Sequence, residues 1–175
     1  MKKGEYYLSS SVGAVNAIRR ALIMDIESWA ADTVTFEKNS SCQTDEYIAH
    51  RIGMIPFVKV GNGETMQIHV KGRTVYASDL VGPSFKIVKD VGIIEMNEEQ
   101  EIKATVHFSY KTGSVHARYK ICAAVAMQIL NNGQYKLSFE TINDEEPDDV
   151  LKRAISAIEN KIDRALVDVG NLTNY

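Results

Sequence analysis

The sequence is poor in cysteine, proline and tryptophan. It holds two cysteines, three prolines and one tryptophan among its 175 residues. Cys42 and Cys122 lie far apart and form no CxxC pair, so their spacing indicates neither a disulfide framework nor a zinc knuckle. A chain of this length buries enough surface to fold without such staples. We therefore expect an ordinary hydrophobic core.

Neither a large charge excess nor a long apolar run occurs. Twenty Lys and Arg against 23 Asp and Glu give a net charge of −3, whereas direct binding of nucleic acid normally requires a basic surface. The longest apolar run, Ile121–Met127, is far shorter than a membrane span, and the first residues lack the apolar core of a signal peptide. These absences predict a soluble intracellular protein that contacts no membrane.

The motifs of common enzyme classes are also missing. The sequence contains no phosphate-binding GxxxxGK[ST], no GxGxxG after a strand, no HExxH and no GxSxG. His69 and His107 fall on the polar faces of alternating segments, which is typical of surface residues. We therefore predict no catalytic residues and no cofactor.

Two kinds of metal site, for zinc and for calcium, can be compared with the sequence. Cys42, His50, His116 and Cys122 are residue types that bind zinc, but no two of them have the short spacing of a zinc-ligand pair. The acidic stretch 143–149 lacks the alternating ligands and the glycine of a calcium loop. We expect no metal site, and a small zinc-binding protein stays as an alternative.

Two segments have the periodicity of amphipathic helices. In the first, Ala14–Ala31, Ser10 or Ser11 can cap the start, and the apolar positions recur at steps of three and four. In the second, Pro147 suits the first turn and Gly170 the end. The apolar stripe of the first helix is Val15, Ile18, Leu22, Ile26 and Trp29. The stripe of the second is Leu151, Ala154, Ile155, Ile158, Ile162, Ala165, Leu166 and Val169.

Much of the remaining sequence alternates with the period of two that marks half-buried strands. The segments are Thr33–Lys38, Thr65–Lys71, Glu101–Tyr110 and Tyr135–Ile142. In the third, Ile102, Ala104, Val106, Phe108 and Tyr110 are expected to face inward. The order of helix, strands and helix predicts an α+β fold. We expect residues 1–51 and 132–175 to form one discontinuous domain, with a β-rich domain inserted at 52–131.

The segment Asp45–Phe57 has an unusual composition, with charged residues, an aromatic residue and an apolar run interrupted by Pro56. From the residues alone, it is most simply a short helix over Asp45–Arg51, ended by Gly53 and followed by an extended piece.

Val15–Ile23 (VNAIRRALI) and Asp45–Pro56 (DEYIAHRIGMIP) closely resemble two motifs of one known family. This is the alpha-like, third-largest subunit of archaeal and eukaryotic RNA polymerases, whose pattern runs NALRR and then DEFIAHRLGLIPL. Val75–Leu80 (VYASDL) and Val115–Tyr119 (VHARY) are similar to later family segments, in the same order along the chain. The resemblance thus covers nearly the whole sequence.

The resemblance implies a non-catalytic assembly subunit of DNA-directed RNA polymerase, with a discontinuous alpha-type dimerisation domain. The implied partners are a smaller alpha-like subunit, the second-largest subunit and small zinc-ribbon-type subunits, with DNA met only through the complex. The implied docking residues for the large subunit are Asn16, Arg19, Arg20, Asp45, Glu46, His50, Arg51 and His116. The implied dimer interface is Leu22, Ile26, Trp29, Leu151, Ile155, Ile158 and Ile162.

Departures from the family pattern bear on lineage and pairing. The strand before the first helix must come from Glu5–Ser9, and the cysteine cluster of some relatives is missing. A chain this compact suggests a large DNA virus, with the protein in the virion or a viral factory. A cellular eukaryotic protein would be nuclear and an archaeal one cytoplasmic. An alternative hypothesis from the same resemblance is a homodimeric scaffold like bacterial alpha.

Overall fold

The computed structural model describes residues 1–131 and 133–172, and this part of the chain contains three α-helices and eleven β-strands. The helices are α1 (Val12–Met24), α2 (Asp45–Gly53) and α3 (Pro147–Leu172). The strands are β1 (Lys2–Leu8), β2 (Glu27–Asn39), β3 (Phe57–Lys59), β4 (Thr65–Lys71), β5 (Val75–Tyr76), β6 (Leu80–Val81), β7 (Phe85–Ile87), β8 (Gly92–Ile94), β9 (Glu101–Thr112), β10 (Cys122–Ile129) and β11 (Tyr135–Thr141). The mixture of helices and antiparallel sheets confirms the predicted α+β class.

The chain divides into two compact units, one formed by Met1–Glu27 with Thr112–Tyr175 and the other by Ser28–Lys111. The boundary suggested at position 51 falls inside the second unit, because Ile48 and Ile52 of α2 are buried in that unit's core. The boundary suggested at 132 lies outside the described residues. The segment before it belongs to the first unit, since Ile121 and Cys122 are buried in that core.

The first unit is an antiparallel sheet of order β1-β11-β10 that carries two helices. Helix α1 packs on β10 and β11, and α3 packs on β1, β11 and α1. The core that they enclose consists of Ala21, Leu22, Ile26, Ile121, Cys122, Leu137, Phe139, Val150 and Ala154. Gly4 of β1 lies under the start of α3, where an added Cβ would come within 2.8 Å of the Pro147 side chain. A glycine there allows the strand and the helix to approach closely.

The helix boundaries correct two predictions. Helix α1 starts as expected, with the Ser11 side chain accepting a hydrogen bond from the Ala14 N–H, but it ends at Met24 rather than Ala31. Trp29 therefore lies on β2, because the chain beyond Ile26 pairs into a sheet with β9. Helix α3 begins at Pro147 as predicted but runs through Gly170 to Leu172. One glycine in a long helix costs about 1 kcal/mol, which twenty-odd other residues outweigh.

The second unit is built on a sheet of order β2-β9-β4-β6. Strands β4 and β9 pair antiparallel from Thr65 opposite His107 to Lys71 opposite Glu101, and alternate residues of both are buried. Four of the five predicted inward residues of β9 are buried as expected, but Tyr110 is 45% exposed. Its ring lies 5.3 Å from that of Trp29 at the edge of the core.

Candidate partner-binding surfaces

The polar face of α1 carries a preformed arginine. Asn16 and Arg19 are one helical turn apart, and the Asn16 Oδ1 accepts hydrogen bonds from the Arg19 Nε and Nη2 at 3.0 and 2.9 Å. Both side chains are half-buried, whereas Arg20 is exposed. Because a guanidinium has five N–H groups in a fixed fork, most of the Arg19 donors stay available in a defined direction.

The acidic start of α2 stabilises its own helix. Thr44 is the N-cap and accepts from the Tyr47 N–H, and Asp45 accepts from the Asn39 Nδ2 at 2.7 Å. A hydrogen bond from its own backbone N–H, followed by one from the Thr44 side chain, lowers the pKa of Glu46. Carboxylates in a first helical turn complement the partial positive charge of the amino end. Asp45 and Glu46 therefore have a local structural role and also present charge at an exposed helix end.

Arg51 joins α2 to β8 within the second unit. Its Nη2 donates to the Gly92 carbonyl oxygen at 2.7 Å, and its Nη1 donates to the Tyr47 hydroxyl at 3.2 Å. The guanidinium carbon also lies 5.8 Å from the centre of the Tyr47 ring. His50 is exposed beside it, next to Met54, whose side chain is 55% exposed. The predicted docking residues of α2 thus line an exposed surface that combines charge with apolar area.

His116 belongs to the first unit and organises a turn. Its Nδ1 accepts from the backbone N–H and the Nε of Arg118 at 3.1 and 3.2 Å, at the start of the 3-10 turn Ala117–Tyr119. An Nδ1 that accepts carries no proton, so this contact corresponds to the tautomer with its proton on Nε2. His116 is exposed, so the turn presents it at the surface.

The residues predicted for a dimer interface separate into two groups. Leu22 and Ile26 are buried in the first core, where Leu151 and Ile158 also pack, and Trp29 packs against the second core. These five residues contribute to the chain's own packing, whereas the other two predicted interface residues are more exposed. Ile155 is 39% exposed and Ile162 is 55% exposed.

The second half of α3 extends beyond the core. Residues 159–171 are all exposed, including Leu166 at 64% and Val169 at 58%. Together with Ile155 and Ile162, these two residues follow the steps that place side chains on one side of a helix. We call these four residues the distal face. Leu166 and Val169 belong to the predicted stripe but not to the predicted interface, because periodicity identifies a face without showing where along a helix the core stops.

Two cationic side chains fix α3 to the corner between α1 and β2. Arg153 forms an ion pair with Glu145 at 2.6 Å and also donates to the Glu27 carbonyl oxygen. Lys161, two turns further, forms an ion pair of 2.6 Å with Asp25, the C-cap residue of α1. Packing of its first half and these ion pairs therefore fix the position of the helix that carries the distal face.

The described residues contain neither a metal-binding cluster nor a membrane-spanning helix. Across 1–131 and 133–172, no group of three or more His, Cys, Asp or Glu side chains is arranged to hold a metal ion. In the same ranges, no helix has the length and the hydropathy needed to cross a membrane. The surface features described above are the polar faces of α1 and α2 and the exposed apolar side chains of α3.

In sequence, the chain is similar to RNA polymerase subunits. The chain is 29% identical over 167 residues to DNA-directed RNA polymerase subunit Rpo3 of Methanocaldococcus jannaschii, covering 92% of this chain and 87% of the relative. It is 28% identical to Rpo3 of Natronomonas pharaonis, covering 91% of this chain and 66% of the relative. It is 25% identical to DNA-directed RNA polymerase II subunit rpb3 of Dictyostelium discoideum, covering 63% and 48%.

These matches confirm the resemblance inferred from the motifs. Over about nine-tenths of its length the chain is homologous to archaeal RNA polymerase subunit Rpo3, and over 63% of its length it is homologous to a eukaryotic RNA polymerase II subunit rpb3. No protein-family model matches it.

Proposed function

We propose that this chain is an assembly subunit of a DNA-directed RNA polymerase, which pairs through α3 with a smaller alpha-like subunit and docks through α1 and α2 on the second-largest subunit. The observation that carries the proposal is the distal face. Its four apolar side chains stay between 39% and 64% exposed on a helix whose first half packs against the core of the first unit.

Burial of the distal face supplies a strong drive for pairing. Full burial of a large aliphatic side chain that starts fully exposed is worth about 1.5–3 kcal/mol, and these side chains, being about half exposed, gain roughly half of that each. Four such side chains in one row suit a second helix with its own apolar stripe, since helices associate by packing such rows against each other. A smaller homologous chain that ends in the same kind of helix fits this geometry.

The polar surfaces suit a different kind of contact. Arg19 is held in place by Asn16, and Arg20 extends from the same helix without a hydrogen bond or ion pair to any residue of 1–131 or 133–172. Arginine is enriched at protein interfaces because its planar fork donates to carboxylates and carbonyls in pairs. We assign these residues to docking on the large subunit, together with the exposed residues Asp45, Glu46, His50, Arg51 and His116.

Pairing is tested by a charge placed within the distal face. Ile162→Asp should raise the dissociation constant for the candidate smaller subunit at least about a hundredfold, because the complex must bury an unpaired carboxylate. Asn160→Asp adds the same charge on the opposite side of the same exposed helix segment and should leave pairing unchanged. Co-expression followed by light scattering on the eluted complex measures both variants.

The same measurement separates the two modes of pairing. A heterodimer of one chain with the smaller subunit supports the proposal. A stable dimer of the isolated chain that Ile162→Asp dissolves would favour the homodimer instead. A monomeric wild-type chain that ignores the smaller subunit would contradict both.

A further inference from the structure

The two edges of the sheet in the first unit are protected very differently. Strand β1 forms one edge and carries Lys2, Lys3 and Glu5 along it. Strand β10 forms the other edge, and residues 121–135 contain no charged side chain at all. Proteins usually place charges on an open edge to prevent further strands from pairing there. The edge at β10 lacks that protection.

The exposed part of this edge can be located from the register. Ala124 has a φ of 50°, and the pairing with β11 shifts between Ala123 and Ala126. This bulge interrupts the strand and leaves Ala126–Ile129 as a regular stretch opposite Tyr135–Ser138. Within it, Ile129 is 66% exposed and Gln128 is exposed.

The hydrogen-bonding direction of each residue in this stretch follows from the turn that ends it. The Leu130 N–H donates to the Gln134 carbonyl at 2.9 Å, which makes that pair a hydrogen-bonded one. Because such pairs alternate in an antiparallel ladder, Gln128 and Ala126 also bond to β11. Met127 and Ile129 therefore direct their N–H and C=O groups toward the open edge.

The geometry points to this edge, Ala126–Ile129, as a strand-addition site for an extended, uncharged segment of the large polymerase subunit that docks on α1. The inference rests on the proposed function. An added strand would satisfy the Met127 and Ile129 backbone groups and would meet small or apolar side chains without a charge to desolvate.

The small size of this edge favours a tethered segment of a larger protein over a second copy of the chain. Four residues of strand span only about 14 Å, whereas a stable protein dimer buries about 800 Å² on each partner. Symmetric pairing of such short edges is therefore too small to hold a dimer. A segment of a protein already bound nearby needs no large area of its own, because tethering raises its effective concentration.

Continuity with the α1 surface identifies that neighbouring protein. Helix α1 packs on β10 and β11, while α3 packs on β1 and β11. The unprotected edge is thus on the α1 side of the sheet, and α1 is the helix that also carries Asn16, Arg19 and Arg20 of the proposed large-subunit surface. The charged edge at β1 is on the side covered by α3.

Amide hydrogen exchange with residue resolution tests the inference directly. In the free chain, the Gln128 amide should exchange slowly and the Met127 and Ile129 amides rapidly. On forming the complex with the second-largest subunit, exchange at Met127 and Ile129 should slow at least about tenfold, the effect of one new hydrogen bond.

A pair of variants isolates the backbone contribution. Ile129→Pro removes the N–H that faces the open edge without breaking a bond to β11, and Ile129→Ser removes the same apolar side chain but keeps the N–H. The proline variant should bind the large subunit about tenfold more weakly than the serine variant. Gln128→Lys adds a charge to the edge, keeps every backbone group and should also weaken binding. This variant provides the test in case the proline variant does not fold.

The exchange and binding measurements together decide whether a strand adds at Ala126–Ile129. Slowed exchange and a gap between the two Ile129 variants support the inference. A complex that forms with unchanged exchange at Met127 and Ile129 overturns the inference and leaves the proposed function standing. Protection that arises from self-association, or from the smaller subunit alone, overturns it as well. If no complex with the large subunit forms, the proposed docking and the inference both fail.

Discussion

The Lys161 ammonium and the Asp25 carboxylate form an ion pair of 2.6 Å that joins the middle of α3 to the end of α1. Asp25 is largely shielded, with 13% of its side chain exposed, while Lys161 is 59% exposed. The pair lies at the start of the exposed half of α3. It therefore anchors that part of the helix to the end of α1 while the distal face stays exposed.

Removal of this ion pair should have a small effect on stability. Lys161→Gln should lower the free energy of unfolding by about 0.5 kcal/mol, because solvent screens a pair with one exposed partner. Lys152→Gln removes a pair with Asp149 in which both side chains are mainly exposed, and it should change stability by less. Chemical denaturation of both variants provides the measurement. A loss of several kcal/mol for Lys161→Gln would show that the pair is essential to the fold.

Charges placed one helical turn apart on α3 should destabilise the isolated chain by very different amounts. Ile158 packs against the first core, so Ile158→Asp should reduce the unfolding free energy by about 2–4 kcal/mol. Ile162 is more than half exposed, so Ile162→Asp should reduce it by less than about 0.5 kcal/mol. Thermal unfolding without a partner compares them. Equal losses would mean that the core extends along α3 further than the structure shows.

Glu101 gives the second unit a predictable dependence on pH. Hydrogen bonds from Lys38 and then His69, at 2.6 and 2.8 Å, lower the pKa of its carboxyl from an ordinary 4.5 to about 2. A carboxylate that is more acidic when folded stabilises the fold fully above the unfolded pKa. Its contribution should therefore be complete above about pH 4.5 and disappear as the pH falls toward 2.

The comparison of Glu101→Gln with the wild type tests this dependence. The difference in melting temperature should be largest near neutral pH and shrink steadily below pH 4.5. Glu99→Gln, at an exposed neighbouring position, should show no such trend. A difference that stays constant down to pH 2 would mean that Glu101 is not paired in solution.

The two cysteines should differ in reactivity. Burial, with a smaller effect of the nearby Glu145 charge, raises the pKa of the Cys122 thiol to about 12, while Cys42 is exposed. Since the thiolate is the reactive form, a disulfide reagent at pH 8 should modify one thiol per folded chain and two per unfolded chain. Cys42→Ser should leave the folded chain unreactive. Rapid modification of two thiols in the folded wild type would contradict the burial of Cys122.

Local patterns in the sequence predicted the elements whose surroundings are simple. The alternation over Thr65–Lys71 matches β4 in both bounds, and Pro147 marks the start of α3. The end of α1 was not predictable in this way. Ile26 and Trp29 fit a helical period, but β2 pairs with β9, a strand more than sixty residues away, and that pairing decides the conformation of Trp29.

Sequence periodicity indicates which side of α3 is apolar, but it does not indicate how deeply each residue on that side is buried. Helical periodicity places Ile158 and Ile162 on one stripe, and only the packing of α3 on its neighbours shows that the first is half-buried and the second is exposed. The unprotected edge at β10 had a clear sequence signal, the absence of charge over residues 121–135. That signal has meaning only once the sheet order shows that β10 is an edge.

The most direct test of the account is to purify the tagged chain from its native source and identify the proteins that remain bound. We expect one copy of the chain together with one smaller alpha-like subunit and the two largest subunits of a DNA-directed RNA polymerase. Purification of the Ile162→Asp variant should lose the smaller subunit. A wild-type chain that elutes alone, or with proteins unrelated to transcription, would contradict the assignment.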